Sequence, residues 1–157
     1  LDTQAPEDLA PVLDGMHAQL DQARDDTTWL LILTVLHRLA PYVCRDEALE
    51  RAWLAQVLHV PSTRPEHSTL AMGASRAMLT VWGTHSHSSA ALMSQVGDDA
   101  EQRILALHAL EVRRITDLEE LRATAPLVQV ALRDPQTPVS LACVSFLAQV
   151  HSAALRG

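Results

Sequence analysis

Apolar residues recur along this chain at three- and four-residue spacing, interrupted by acidic turns, prolines and a serine-rich stretch. Leu9, Val12, Leu13, Met16 and Leu20 fall on one stripe, which predicts a helix from Pro6 to about Arg24. Pro6 and Pro11 lie in its opening turns, where a missing N–H costs least. Asp25-Asp26 cap a second predicted helix, Thr27 to Leu39, closed by Pro41. Its run Trp29-Leu30-Leu31-Ile32-Leu33 leaves almost no polar side, so neighbours must cover it on most sides.

A third helix is expected from Asp46 to His59, with Leu49, Trp53, Val57 and Val60 inward, and Pro61 to Pro65 reads as a break. The fourth, Glu66 to Trp82, is rich in small residues (Ala71, Gly73, Ala74, Ala77) that permit close approach to a neighbour. Gly83 to Ser89 reads as a loop into a short fifth helix, Ala90 to Val96. Three more are expected at about Ala100 to Ile115, Leu118 to Arg133 and Pro138 to Leu155, with Pro126 kinking or splitting the seventh.

Paired in order, these helices form four hairpins, approximately 6–42, 45–82, 88–115 and 117–155, in one all-helical domain over residues 1–157. Their second members start near 27, 67, 100 and 138, a spacing of roughly 33 to 40 residues, the range of helical repeats. The expected fold is therefore all-α, a right-handed α-solenoid of about four hairpins, with an eight-helix bundle as the alternative. In a solenoid each pair buries its apolar face by stacking on the next. Apolar residues on the outer side of the first or last helix would mark faces for further repeats, and the chain opens at Leu1 rather than Met, which fits a processed form or an excerpt.

The last two second helices carry a finer pattern. Asp99 leads to Gln102-Arg103, then Ala106 and Leu110; Asp134 leads to Val139-Ser140, then Cys143 and Leu147. An acidic turn followed by a valine-arginine pair, a small residue and a leucine resembles the HEAT repeats of the armadillo-like class. Arg103 matches that family's arginine, whereas Gln102 and Ser140 depart from its pattern. The resemblance covers about the last 60 residues by motif and the rest by period. It implies a scaffold or adaptor that binds protein partners along a concave face lined by the second helices, an implication drawn from kinship and not from chemistry.

Composition agrees with helices. Aromatic residues are 3% of the chain and glycines number five, so Leu, Val, Ala, Ile and Met must build the core. Cys44 and Cys143 stand alone in apolar helical surroundings and read as inert buried thiols of a reducing compartment. No apolar run reaches bilayer length, WLLILTVL stopping at His37-Arg38, and cytoplasmic is the default location. The net charge of −7, with all 12 basic residues arginine, lacks the footprint of general nucleic-acid binding.

Charge is nonetheless uneven between the layers. Leaving out the capping aspartates, the second helices carry Arg38, Arg76, Arg103, Arg113 and Arg114 against Glu101 and Glu111, net +3. The first helices carry ten carboxylates, Glu7 and Asp8 among them, against five arginines, net −5. A mildly basic inner groove follows, suited to an acidic peptide or helix.

Candidate chemistry is sparse. His85-Ser86-His87 is the tightest histidine cluster, and His59 or His67 could approach it, but a Ser-rich loop without nearby Cys is usually solvated. Glu119-Glu120 and Asp46-Glu47 sit where carboxylates meet helix dipoles, a sufficient structural role. No nucleophile motif or phosphate loop occurs, and no cofactor is expected. The expected function is a non-enzymatic interaction module. Its rivals are a HEAT-like DNA-repair protein, which needs a basic cleft around an extruded base, and a metal or small-molecule sensor built on His85 and His87.

Overall fold

The computed structural model describes the backbone of residues 6–156 and the side chains of residues 9–156. Residues 1–5 and 157, included in the expected domain, and the side chains of Glu7 and Asp8, included in the acidic layer, lie outside the described residues. The helices are α1 (Pro6–Gln22), α2 (Asp26–Val43), α3 (Glu47–Thr63), α4 (Ser68–His85), α5 (Ala90–Gln95), α6 (Ala100–Arg113), α7 (Leu118–Ala123), α8 (Ala125–Leu132) and α9 (Thr137–Arg156). A 3-10 turn, Pro65–His67, joins α3 to α4, and no strand occurs among the described residues.

Aspartates set where the helices begin. Asp25, Asp46, Asp99 and Asp117 each accept a hydrogen bond from a first-turn backbone N–H, those of Thr28, Leu49, Glu101 and Glu120. Such a cap satisfies one of the donors a helix start leaves open. Hydrogen bonds from Thr28 hold the Asp25 carboxyl below its ordinary value. At the other end of α6, Arg114 adopts a left-handed conformation (φ 56°) and its N–H closes on the Leu110 carbonyl, which stops the helix.

Prolines punctuate the chain less sharply than expected. Pro41 does not close α2, which continues to Val43, and α3 runs through Pro61 to Thr63 instead of stopping at His59. In α3 the reason is visible: Pro61 has no N–H for the Val57 carbonyl, and the buried Ser75 hydroxyl of α4 donates to that carbonyl at 2.9 Å instead. Pro126 does split the expected seventh helix, into α7 and α8, with Thr124 between them. Gly83 belongs to α4 and not to the following loop. A Cβ there would lie 2.8 Å from Val112 Cγ1 and 3.3 Å from the Arg113 nitrogen, so α4 and α6 approach closely at this residue. Gly73, expected to serve that purpose, is exposed and meets nothing within 4 Å.

The helices associate in two rows. In one, α2, α4, α6 and α9 each seat on the next; in the other, α1, α3, α5 and α7 do so, with α8 following α7. Cross-row contacts join α1 to α2, α3 to α4 and α8 to α9. One core cluster runs from Leu9 through Leu107 to Phe146. Its three tryptophans are buried and each indole N–H is satisfied: Trp29 donates to Thr63 Oγ1, Trp53 to the Leu36 carbonyl and Trp82 to Glu50 Oε2. Each bond ties two helices together.

Candidate functional site

The all-round apolar character of α2 has a physical consequence. Trp29, Ile32, Leu33 and Leu36 fill the core, which leaves Leu30, Leu31 and Val35 without a partner helix. Leu30 forms a wall of an open groove of about 280 Å³ between α2 and α4, opposite Leu70, Ala74 and Ala77. Leu30 and Leu70 are 45% and 54% exposed, far above the usual exposure of such residues in a finished core. His37 and Arg38 also line the groove, and Thr34 is its nearest hydroxyl. The Thr34 hydroxyl donates to the Leu30 carbonyl one turn back, so it turns inward to its own helix.

The five expected groove arginines divide into two groups. Arg38, Arg76 and Arg114 are exposed and make no ion pair among the described residues. Arg38 lines the groove, whereas Arg76 lies outside its lining, on α4 near His108 of α6. Arg103 and Arg113 are consumed by the fold. Arg103 reaches Asp134 at 3.1 Å and Asp98 at 3.4 Å, bridging the acidic turns that precede α6 and α9. Arg113 grips both oxygens of Glu120 at 2.6 and 3.0 Å and donates to the Ser86 carbonyl at 2.7 Å. The side chains of Arg113 and Glu120 are only 15% and 14% exposed, so this pair holds the α6 end to α7 and offers little to a partner. Counting charges per helix could not distinguish these groups, because their partners lie on other elements.

His108 borders the same row. Burial first, and then the Arg76 guanidinium, lower its pKa from the ordinary value of 6.5. The Thr80 hydroxyl donates to the Arg76 carbonyl, which leaves the Nε2–H of His108 as donor in their 3.1 Å contact.

The structure gives His59, His67, His85 and His87 separate surroundings. His59 pairs with Asp21 at 2.8 Å, and His67 lies 3.8 Å from Asp26. His85 bonds back to Val81 and Thr84 on its own helix, whereas His87 lines a separate recess with Cys44, Glu47 and Glu50. Among the described residues no group of three His, Cys, Asp or Glu could hold a metal ion. In the recess the Cys44 thiol is pushed up to about 12, by burial first and by the Glu50 carboxylate second, so at neutral pH it stays protonated. Burial likewise raises Cys143.

Two features escaped the periodicity reading. The α2–α4 groove was signalled only by the excess of leucine in Trp29 to Leu36, more than one core face can absorb. The second is α9, whose 20 residues carry one formal charge, Arg156. By length and composition it is an apolar helix able to cross a bilayer, where the sequence reading found none, although core helices of soluble proteins share that property. No protein-family model, curated protein or solved structure matches this chain.

Proposed function

We propose that the chain is a short right-handed solenoid of HEAT-like helical pairs. It acts without catalysis as an adaptor that seats an acidic amphipathic helix or peptide between α2 and α4. Support for the architecture comes from the two rows of helices, each seating on the next. Arg103, the residue that matches the HEAT pattern, links its own acidic turn to the next one, as a repeat-to-repeat tie would.

The observation that carries the function is the groove itself: exposed Leu30 and Leu70 line it together with Arg38, which has no carboxylate partner among the described residues. Apolar anchors at helical spacing would fill such a groove, while carboxylates on the same ligand meet Arg38 and Arg76. Guanidinium–carboxylate contacts supply charge-assisted, two-pronged hydrogen bonds and so set the sign of the ligand. Selection from a random peptide display library against the whole chain tests this reading. Enriched peptides should combine Leu, Ile or Phe at three- and four-residue spacing with Asp or Glu, and should lose binding to Leu30→Asp/Leu70→Asp. Enrichment of basic peptides, or of none, would overturn it.

A further inference from the structure

The recess beside His87 is assembled from separate parts of the chain. Cys44 comes from the end of α2, Glu47 and Glu50 from the opening turns of α3, and His87, Ser88 and Ala90 from the connection into α5. Its volume of about 260 Å³ has room for several waters or one small organic molecule. It shares no lining residue with the α2–α4 groove.

Glu50 decides what the recess can take. It is only 8% exposed, yet it makes no ion pair among the described residues. Two other sheltered carboxylates, Asp134 and Glu120, each hold an arginine. The partners of Glu50 are neutral: the Trp82 indole N–H reaches Oε2 at 3.2 Å, and the protonated Cys44 thiol bonds to the carboxylate. Oε1 accepts from no N–H or O–H among the described residues. Guanidinium groups of the neighbourhood are engaged elsewhere. Arg51 pairs with Glu47 at 2.8 Å, Arg45 lies over the Tyr42 ring, and Arg113 is held by Glu120 and the Ser86 carbonyl. In the loop that carries His87 and Ser88, the Ser86 and Ser89 hydroxyls are buried without a hydrogen-bond partner. The polar capacity of this corner is therefore not met from within the described chain. A carboxylate taken out of water with no cation beside it is costly, and a cation that also donates N–H bonds relieves that cost.

We propose that this recess binds a small primary amine as its ammonium ion, which donates an N–H to Glu50 Oε1 and lays its alkyl chain against Ala90. A charge-assisted bond of this kind is about twice as strong as a neutral one. An alcohol of the same length has the donor without the charge, and a quaternary ammonium has the charge without the donor, so both should bind more weakly. A metal ion does not fit, since among the described residues no three ligands come together to hold one. The inference stands without the peptide-binding reading.

The Trp82 indole N–H reports occupancy because it is bonded to the same carboxylate. Its assigned NMR signal is followed while butylammonium chloride is added to the whole chain at constant pH and ionic strength. The wild type should show a saturable shift at millimolar concentration. Butanol and tetramethylammonium should each bind at least about tenfold more weakly. Glu50→Gln keeps the shape of the site and removes its charge, and it should weaken butylammonium by at least about tenfold. Ala90→Leu fills the recess from its exposed rim, leaves Glu50 in place and should abolish the shift. Circular dichroism establishes that both variants fold; if Glu50→Gln does not, Ala90→Leu decides alone. A wild type without a saturable shift overturns the proposal. So does an equal response to butanol or tetramethylammonium, or an affinity unchanged in either folded variant.

Discussion

Helices α6 and α9 belong to the same row and draw on the same residue types, yet they differ in how much of each is covered. In α6, Leu105, Ala106, Leu107, Ala109 and Leu110 are all buried, because α4 lies on one flank and α9 on the other. In α9 the buried set is Val139, Cys143 and Phe146, and the opposite side projects leucine and valine outward. An apolar residue in such a row is thus core or surface according to its neighbours, and composition alone does not decide. A similar division separates the arginines: Arg113 is locked to Glu120, whereas Arg76, on a comparable helix, stands open.

The strongest way to break the first contrast is truncation at equivalent positions. Leu107→Ala should cost ~2–5 kcal/mol in urea unfolding, the range for a leucine removed from a sealed core. Leu141→Ala, measured on monomer at low concentration, should stay within ~0.5 kcal/mol, as for other surface changes. Equal losses would mean that α9 is covered in the folded monomer after all.

The arginine contrast comes next in size. Arg113→Ala strands Glu120 in a mostly dry site and should cost ~3 kcal/mol. Arg76→Ala should change the unfolding free energy by no more than ~0.5 kcal/mol. Together these two variants separate structural arginines from available ones.

Glycines in α4 should respond with opposite signs. At Gly83 an alanine must push against Val112 and the Arg113 backbone, costing ~1–3 kcal/mol of overpacking. At exposed Gly73 the same change meets nothing and should gain up to ~1 kcal/mol from helix propensity. Thermal melts of the two single variants read this directly.

The smallest effect is a pH dependence at the α4–α6 contact. The folded pKa of His108 lies below its ordinary value of 6.5, so the unfolded chain takes up that proton first as the pH falls. Its contribution to stability is therefore present above pH 6.5 and is lost as the pH drops through the folded value. His108→Gln should flatten this part of the profile, and an unchanged profile would assign the slope to other groups.

Much of the helical order was legible because it rests on local physics. The capping aspartates Asp25, Asp46, Asp99 and Asp117, and the division at Pro126, act within one turn of themselves and are visible in sequence. Pro61 misled because the remedy for its missing N–H, the Ser75 hydroxyl, comes from another helix. Gly73 and Gly83 were exchanged for the same reason, since only the distance to Val112 tells which one meets a neighbour. The candidate arginines were legible as a set and not in their availability. Arg38 and Arg76 remain open, but Arg103 and Arg113 find carboxylates on distant turns, and the leucine walls lay hidden in a run that looked like core.

The central claim is that the α2–α4 groove recognises an acidic amphipathic ligand through its open arginines, and a charge swap tests it most directly. One fluorescent helical peptide bearing leucine anchors and glutamates, and its lysine counterpart, are titrated by anisotropy against the wild type and Arg38→Glu/Arg76→Glu. A crossed pattern is predicted, with the glutamate peptide held by the wild type and the lysine peptide by the variant, both weakening as salt rises. Indifference of both proteins to the peptide's charge, with the variant folded as the wild type is, would contradict the claim.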